Sequence, residues 1–131
     1  MPSPEKAFTV AALIEIGAGL SLLILPDLAI WLLLGVRESS IEALVVGRIA
    51  GAALLALGVA CWLARDDLAS RSQYGLLWAM FIYNLVACAA LAFAGSIIHM
   101  TGVGLWPATA LHAAVAIWFA VNLKASTAKA R

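Results

Sequence analysis

The chain has 131 residues, a length that suits one domain, and a formal net charge of +1. Hydrophobic residues make up 65% of it and charged residues 11%, against about 45–50% and about 25% in ordinary globular proteins. That leaves too little polar surface to wrap a water-soluble core and gives no reason to invoke nucleic acid as a partner; the partner the composition implies is the lipid bilayer.

Four segments are apolar enough and long enough to cross a bilayer, which takes about 20 such residues. In chain order they cover residues 8–25, 40–64, 75–97 and 104–123. The fold class expected is therefore all-α, an integral membrane bundle of four antiparallel transmembrane helices forming a single domain over residues 1–131. The first span holds Glu15 in its middle and lacks a small-residue cleavage site before Pro26, so it is read as a retained helix and not as a cleaved signal peptide. Pro26 ends it, because proline cannot donate to the helix and crowds the residue before it. Asp27 then reads as the N-cap of a short piece, "LAIWLLLG", closed by Gly35. Eight residues cannot span a membrane, so this piece either lies at the interface or continues the first span past a kink.

Ser39 with Glu42 three residues later reads as a capping box that opens the second span. Gly47 and Gly51, extended towards Gly58, form a small-residue stripe of the kind that lets membrane helices approach closely. "RDDLASRSQ" is a polar loop and "HMTGVG" a tight turn. With four spans, both termini and the middle loop share one face. That face carries Lys6, Arg65, Arg71, Lys124, Lys129 and Arg131, whereas the opposite loops carry only Arg37. The positive-inside rule then puts both termini in the cytoplasm of a multi-pass inner-membrane protein. Trp62, Tyr74 and Trp78 fall at the inner interface, and Trp31 and Trp106 at the outer one.

Four polar residues lie inside the spans, one in each: Glu15, Arg48, Asn84 and His112. An ionisable group in hydrocarbon costs roughly 2.5–3.5 kcal/mol on insertion scales, so such groups turn inwards and find partners. At 1.5 Å per residue, Glu15 and Asn84 fall in one layer and Arg48 and His112 in another, the two layers roughly 5–8 Å apart. An extended arginine could bridge that gap, so the expectation is that Arg48 neutralises Glu15 while Asn84 or His112 hydrogen-bonds to it. The same four residues could line a ligand or proton site, could serve only to fix helix register, or could leave Arg48 snorkelling to the surface. The two histidines, His99 and His112, are too far apart in depth (about 12 Å) to clamp one iron. Cys61 and Cys88 sit in apolar runs and read as small packing groups, not a disulfide framework. No nucleophile, metal-ligand or phosphate-loop signature marks an enzyme, and no cofactor is implied by the residues themselves.

The stretches "EIGAG", "LPDLAIWLLLG", "GRIAGAALLALG", "YNLVA" and "LWPATALH" resemble the small four-span bacterial membrane proteins that are loosely DoxX-like. That resemblance covers most of the chain and implies a respiratory or quinone-linked membrane role. "Glu15-Ile16-Gly17" is also similar to the first-span motif of the small multidrug resistance transporters. Those chains lack an arginine like Arg48 in the second span, and this chain lacks the aromatic signature of their third. Three functions are therefore carried forward: a binding protein or accessory subunit for a lipophilic small molecule with a polar head, a proton-coupled transporter using Glu15, and a structural partner in a homo-oligomer or larger membrane complex.

Overall fold

The computed structural model describes residues 3–67 and 70–129, with side chains described up to residue 126. It is all-helical and contains five helices: α1 (Pro4–Ile24), α2 (Pro26–Leu34), α3 (Ile41–Ala64), α4 (Arg71–Ser96) and α5 (Leu105–Lys129). α1, α3, α4 and α5 are each long and apolar enough to cross a membrane, and together they form the four-helix membrane bundle expected from the sequence. Most of their large side chains, among them Leu13, Ile49, Leu63 and Ile117, point outwards, as a lipid-facing surface requires.

Serine hydroxyls start three of the helices. Ser3, Ser40 and Ser70 each accept a hydrogen bond from the backbone N–H three residues on, satisfying one of the donors that a helix start leaves free. Two capping expectations shift, the first by one residue and the second by two. The cap of α3 is Ser40, and Ser39 instead donates its N–H to the Asp27 carboxylate at 3.2 Å. α2 begins at Pro26, capped by Leu25, and Asp27 lies in its first turn. Proline is preorganised for the first helical position, so the helix starts at Pro26, two residues sooner than an Asp27 cap implies. Gly35 ends α2 in the left-handed conformation (φ 80°), its N–H bonded to the Trp31 carbonyl at 2.8 Å.

The bundle is built from two antiparallel pairs, α1 with α3 and α4 with α5. The first pair closes on its glycines. A Cβ on Gly19 would sit 2.7 Å from the Gly51 carbonyl oxygen, one on Gly51 would meet the Gly19 carbonyl at 2.8 Å, and one on Gly58 would crowd the Ile16 backbone at 2.9 Å. Only hydrogen fits at these positions, so backbone packs on backbone over much of the seam.

The two pairs join at both ends. At the end that carries the termini, Phe8 meets Phe119 edge-on at 5.5 Å, surrounded by Ala11, Cys61, Leu77, Met80 and Leu123. Gln73, in the first turn of α4, ties that helix to the end of α3 there by donating to the Ala64 and Asp67 carbonyls. At the other end the last turn of α2 docks on the loop before α5. The Gly104 N–H donates to the Leu32 carbonyl at 2.8 Å, and a Cβ on Gly102 would collide with the Leu33 carbonyl. This contact explains both glycines of "TGVG". The short helix therefore clasps the outer ends of the two pairs.

Replacing Gly51 with leucine should push α1 and α3 apart and reduce stability by about 1–3 kcal/mol, read from reversible unfolding in mixed micelles. Gly17, where a Cβ would meet nothing within 4 Å, should accept alanine with a change of under about 1 kcal/mol in the same assay.

Candidate functional site

The seam that closes α1 on α3 also fixes depth. Gly58 packs against Ala12 and Ile16, whereas Gly47 packs against Leu22 and Pro26. Glu15 therefore lies level with Gly58, and Arg48 lies about ten residues, or about 15 Å, further towards the opposite end. Arg48 also sits on the flank of α3, exposed to the surroundings of the bundle. Arg65, in the loop after α3, pairs with its neighbour Asp66. The expected pairing of Glu15 with Arg48 is thus replaced by separation. Side chains lean towards the N-terminus of their own helix, which for Arg48 means towards the nearer end of α3, the direction in which a long basic side chain snorkels.

The other three residues do converge, on a partner the sequence did not single out. Glu15 is only 1% exposed, and the Tyr83 hydroxyl comes within hydrogen-bonding reach of its carboxyl group. The Tyr83 ring packs edge-on against His112, with centroids 5.7 Å apart. His112 Nδ1 lies 2.8 Å from Asn84 Oδ1. Asn84, also 1% exposed, donates from Nδ2 to the Met80 carbonyl one turn back at 2.9 Å. Cys61 lies within electrostatic range of Glu15 from the α3 side. A carboxyl, a phenol, an imidazole and an amide thus form one connected group supplied by α1, α4 and α5.

The α4–α5 register keeps the two expected layers apart, and a side chain joins them. Gly95 packs on Leu105 and Trp106, so His112 falls about 6 Å short of Asn84 along the bundle axis. The imidazole spans that gap, in the place assigned beforehand to an arginine. Tyr83 escaped notice because tyrosine is ordinary in a membrane helix and adjoins Asn84 in sequence. Its separation from Asn84 by about 100° around the helix is the signal that could have placed its hydroxyl on a neighbouring helix. Three more buried polar residues, Gln73, Thr109 and Asn122, are bonded through their side-chain donors to nearby backbone carbonyls. They serve local structure.

Chemically, the group offers both donors and acceptors. The Asn84 amide oxygen holds the imidazole at its Nδ1 edge, which fixes the ring's orientation, and the tyrosine hydroxyl links the ring's neighbourhood to the sealed carboxyl. Glu15 and Asn84 are enclosed, whereas Tyr83 and His112 remain partly exposed. The network therefore reaches the surface of the bundle through its phenol and imidazole members. No group of three side chains suited to hold a metal ion occurs among the described residues. His99 lies in the exposed α4–α5 turn with a left-handed backbone (φ 61°).

No family model, curated protein or solved structure matches the chain.

Tyr83→Phe should destabilise the bundle by about 1–3 kcal/mol, because it leaves an enclosed carboxyl without its donor. Adding Glu15→Met should recover most of that loss. A double-mutant cycle measured by micellar unfolding checks the coupling, and additive losses would show that the two side chains do not interact.

Proposed function

We propose that this protein is a small membrane binding protein or accessory subunit. Its Glu15–Tyr83–His112–Asn84 centre takes the polar head of a lipophilic molecule of the quinone class. The observation that carries this reading is the connected polar network midway along the four long helices, enclosed at Glu15 and Asn84 and open to the bundle surface at Tyr83 and His112. A ring carbonyl or hydroxyl arriving from the bilayer would find the imidazole and phenol first. Its apolar body would lie along the outward-facing aliphatic side chains of α4 and α5. A mostly apolar surface with a few fixed polar groups is the usual chemistry of small-molecule sites. The DoxX-like motifs point in the same direction. Arg48 has no part in this site. The excess of lysine and arginine on the terminal face supports an orientation with both termini in the cytoplasm of a bacterial inner membrane.

The test is binding of a decyl-tailed benzoquinone to the detergent-purified chain, followed by native mass spectrometry. The wild type should retain one equivalent, and His112→Phe and Asn84→Leu should each weaken retention about tenfold or more, the effect of losing one well-placed hydrogen bond. No retained probe, or equal retention by all three proteins, overturns the proposal.

One observation favours a second reading, proton-coupled transport. Arg48, about 15 Å away, neither neutralises Glu15 nor repels a cation from it. In proteoliposomes driven by a proton gradient, Glu15→Gln should abolish cation uptake while leaving the helical content intact. Flux unchanged by that substitution ends this reading.

A further inference from the structure

A second feature lies apart from the polar centre and does not depend on it. At the end of the bundle opposite the termini, an open cavity of about 250 Å³ is lined by Asp27, Leu28, Trp31 and Arg37. We propose that it seats the headgroup of a zwitterionic phospholipid of the ethanolamine kind, with the phosphate on Arg37 and the ammonium on Asp27 and Trp31.

Charge arrangement is the first support. A carboxylate and a guanidinium line one cavity without pairing with each other, and Arg37 makes no hydrogen bond or ion pair to another described residue. Two opposite charges held apart complement a ligand that carries both signs in the same order. Asp27 is fixed in place, since its Oδ1 accepts the Ser39 N–H. Trp31 stands one helical turn beyond Asp27 on α2, with its side chain 41% exposed, so the indole face is available beside the carboxylate. A cation between a carboxylate and an indole gains from both the charge and the ring quadrupole, and a guanidinium matches phosphate in a bidentate manner.

Location and size favour a membrane lipid over a free zwitterion. The cavity lies where α1 has ended and α3 has not begun, which is the level at which headgroups sit. Leu28 and Leu32 on α2, and Ile24 and Leu25 just before it, are exposed beside the cavity and offer an apolar track for acyl chains. At about 250 Å³ the volume is below the roughly 300–1,000 Å³ of sites that engulf a drug-sized ligand, as expected if only the headgroup enters.

The experiment titrates the full chain, purified in detergent, with phosphatidylethanolamine or phosphatidylglycerol of identical acyl chains and reads retained lipid by native mass spectrometry. The wild type should hold phosphatidylethanolamine about tenfold more tightly than phosphatidylglycerol. Arg37→Gln and Asp27→Asn should each remove most of that preference, and Asp66→Asn, in the loop at the far end of the bundle, should leave it unchanged. Asparagine at position 27 keeps an acceptor for the Ser39 N–H, so loss of preference there reports charge and not misfolding. Equal retention of the two lipids by the wild type, or an unchanged preference in Arg37→Gln, overturns the proposal. Competition by soluble glycerophosphoethanolamine at the lipid's own concentration overturns the assignment to a membrane lipid.

Discussion

Everything at the centre of this protein follows from how closely α1 and α3 can approach. The backbone contact at Gly19, Gly51 and Gly58 allows one register and no sliding, because any side chain at those positions would strike a carbonyl or amide of the facing helix. In lipid there is no hydrophobic drive to bring helices together, so packing of this kind carries the association. The same register that brings two backbones together puts Glu15 beside Gly58 and moves Arg48 well away from it. Register, not charge attraction, decides which polar groups meet.

The arrangement that results differs in kind from an ion pair. A buried ion pair must offset the desolvation of two charges, and it often fails to do so. Here the groups around Glu15 are uncharged donors and acceptors, or groups able to be uncharged, and each is tied to the next by a hydrogen bond or a ring contact. Such a network tolerates its surroundings at lower cost and still presents directed polar atoms. It also lies across the join of the two helix pairs, since Glu15 belongs to one and Tyr83, Asn84 and His112 to the other. The polar centre and the alignment of the pairs therefore depend on the same few atoms.

Much of the architecture was legible in the residues. Run length and composition gave the four spans, and Pro26 and Gly35 bounded the short helix. The glycines of the second span marked the close contact. What was not legible is informative. Depth counted from the ends of each apolar run assumed a hydrocarbon core about 30 Å thick, whereas α3, at 24 residues, is about 36 Å long. That error brought Arg48 too near Glu15. Counting also does not reveal where a ring reaches: His112 and Asn84 lie in layers about 6 Å apart, and the imidazole still makes a 2.8 Å contact across the gap. Tyr83 is legible only through its angular offset from Asn84, which points it at a neighbouring helix without saying which residue it meets there. The docking of α2 on the loop before α5 had no signal beyond the glycines of "TGVG", which looked like ordinary turn residues.

The clasp between Leu32 and Gly104 bears on how the chain comes together. Its two halves leave the ribosome far apart in time. α1 and α3 can seat against each other as soon as the third helix has entered the membrane, while the end of α2 still lacks its partner amide. Only when the final hairpin arrives is that carbonyl satisfied and the outer rim closed. The fold is thus suited to assembly as two prefabricated hairpins, with the short helix acting as the latch that the last segment fastens.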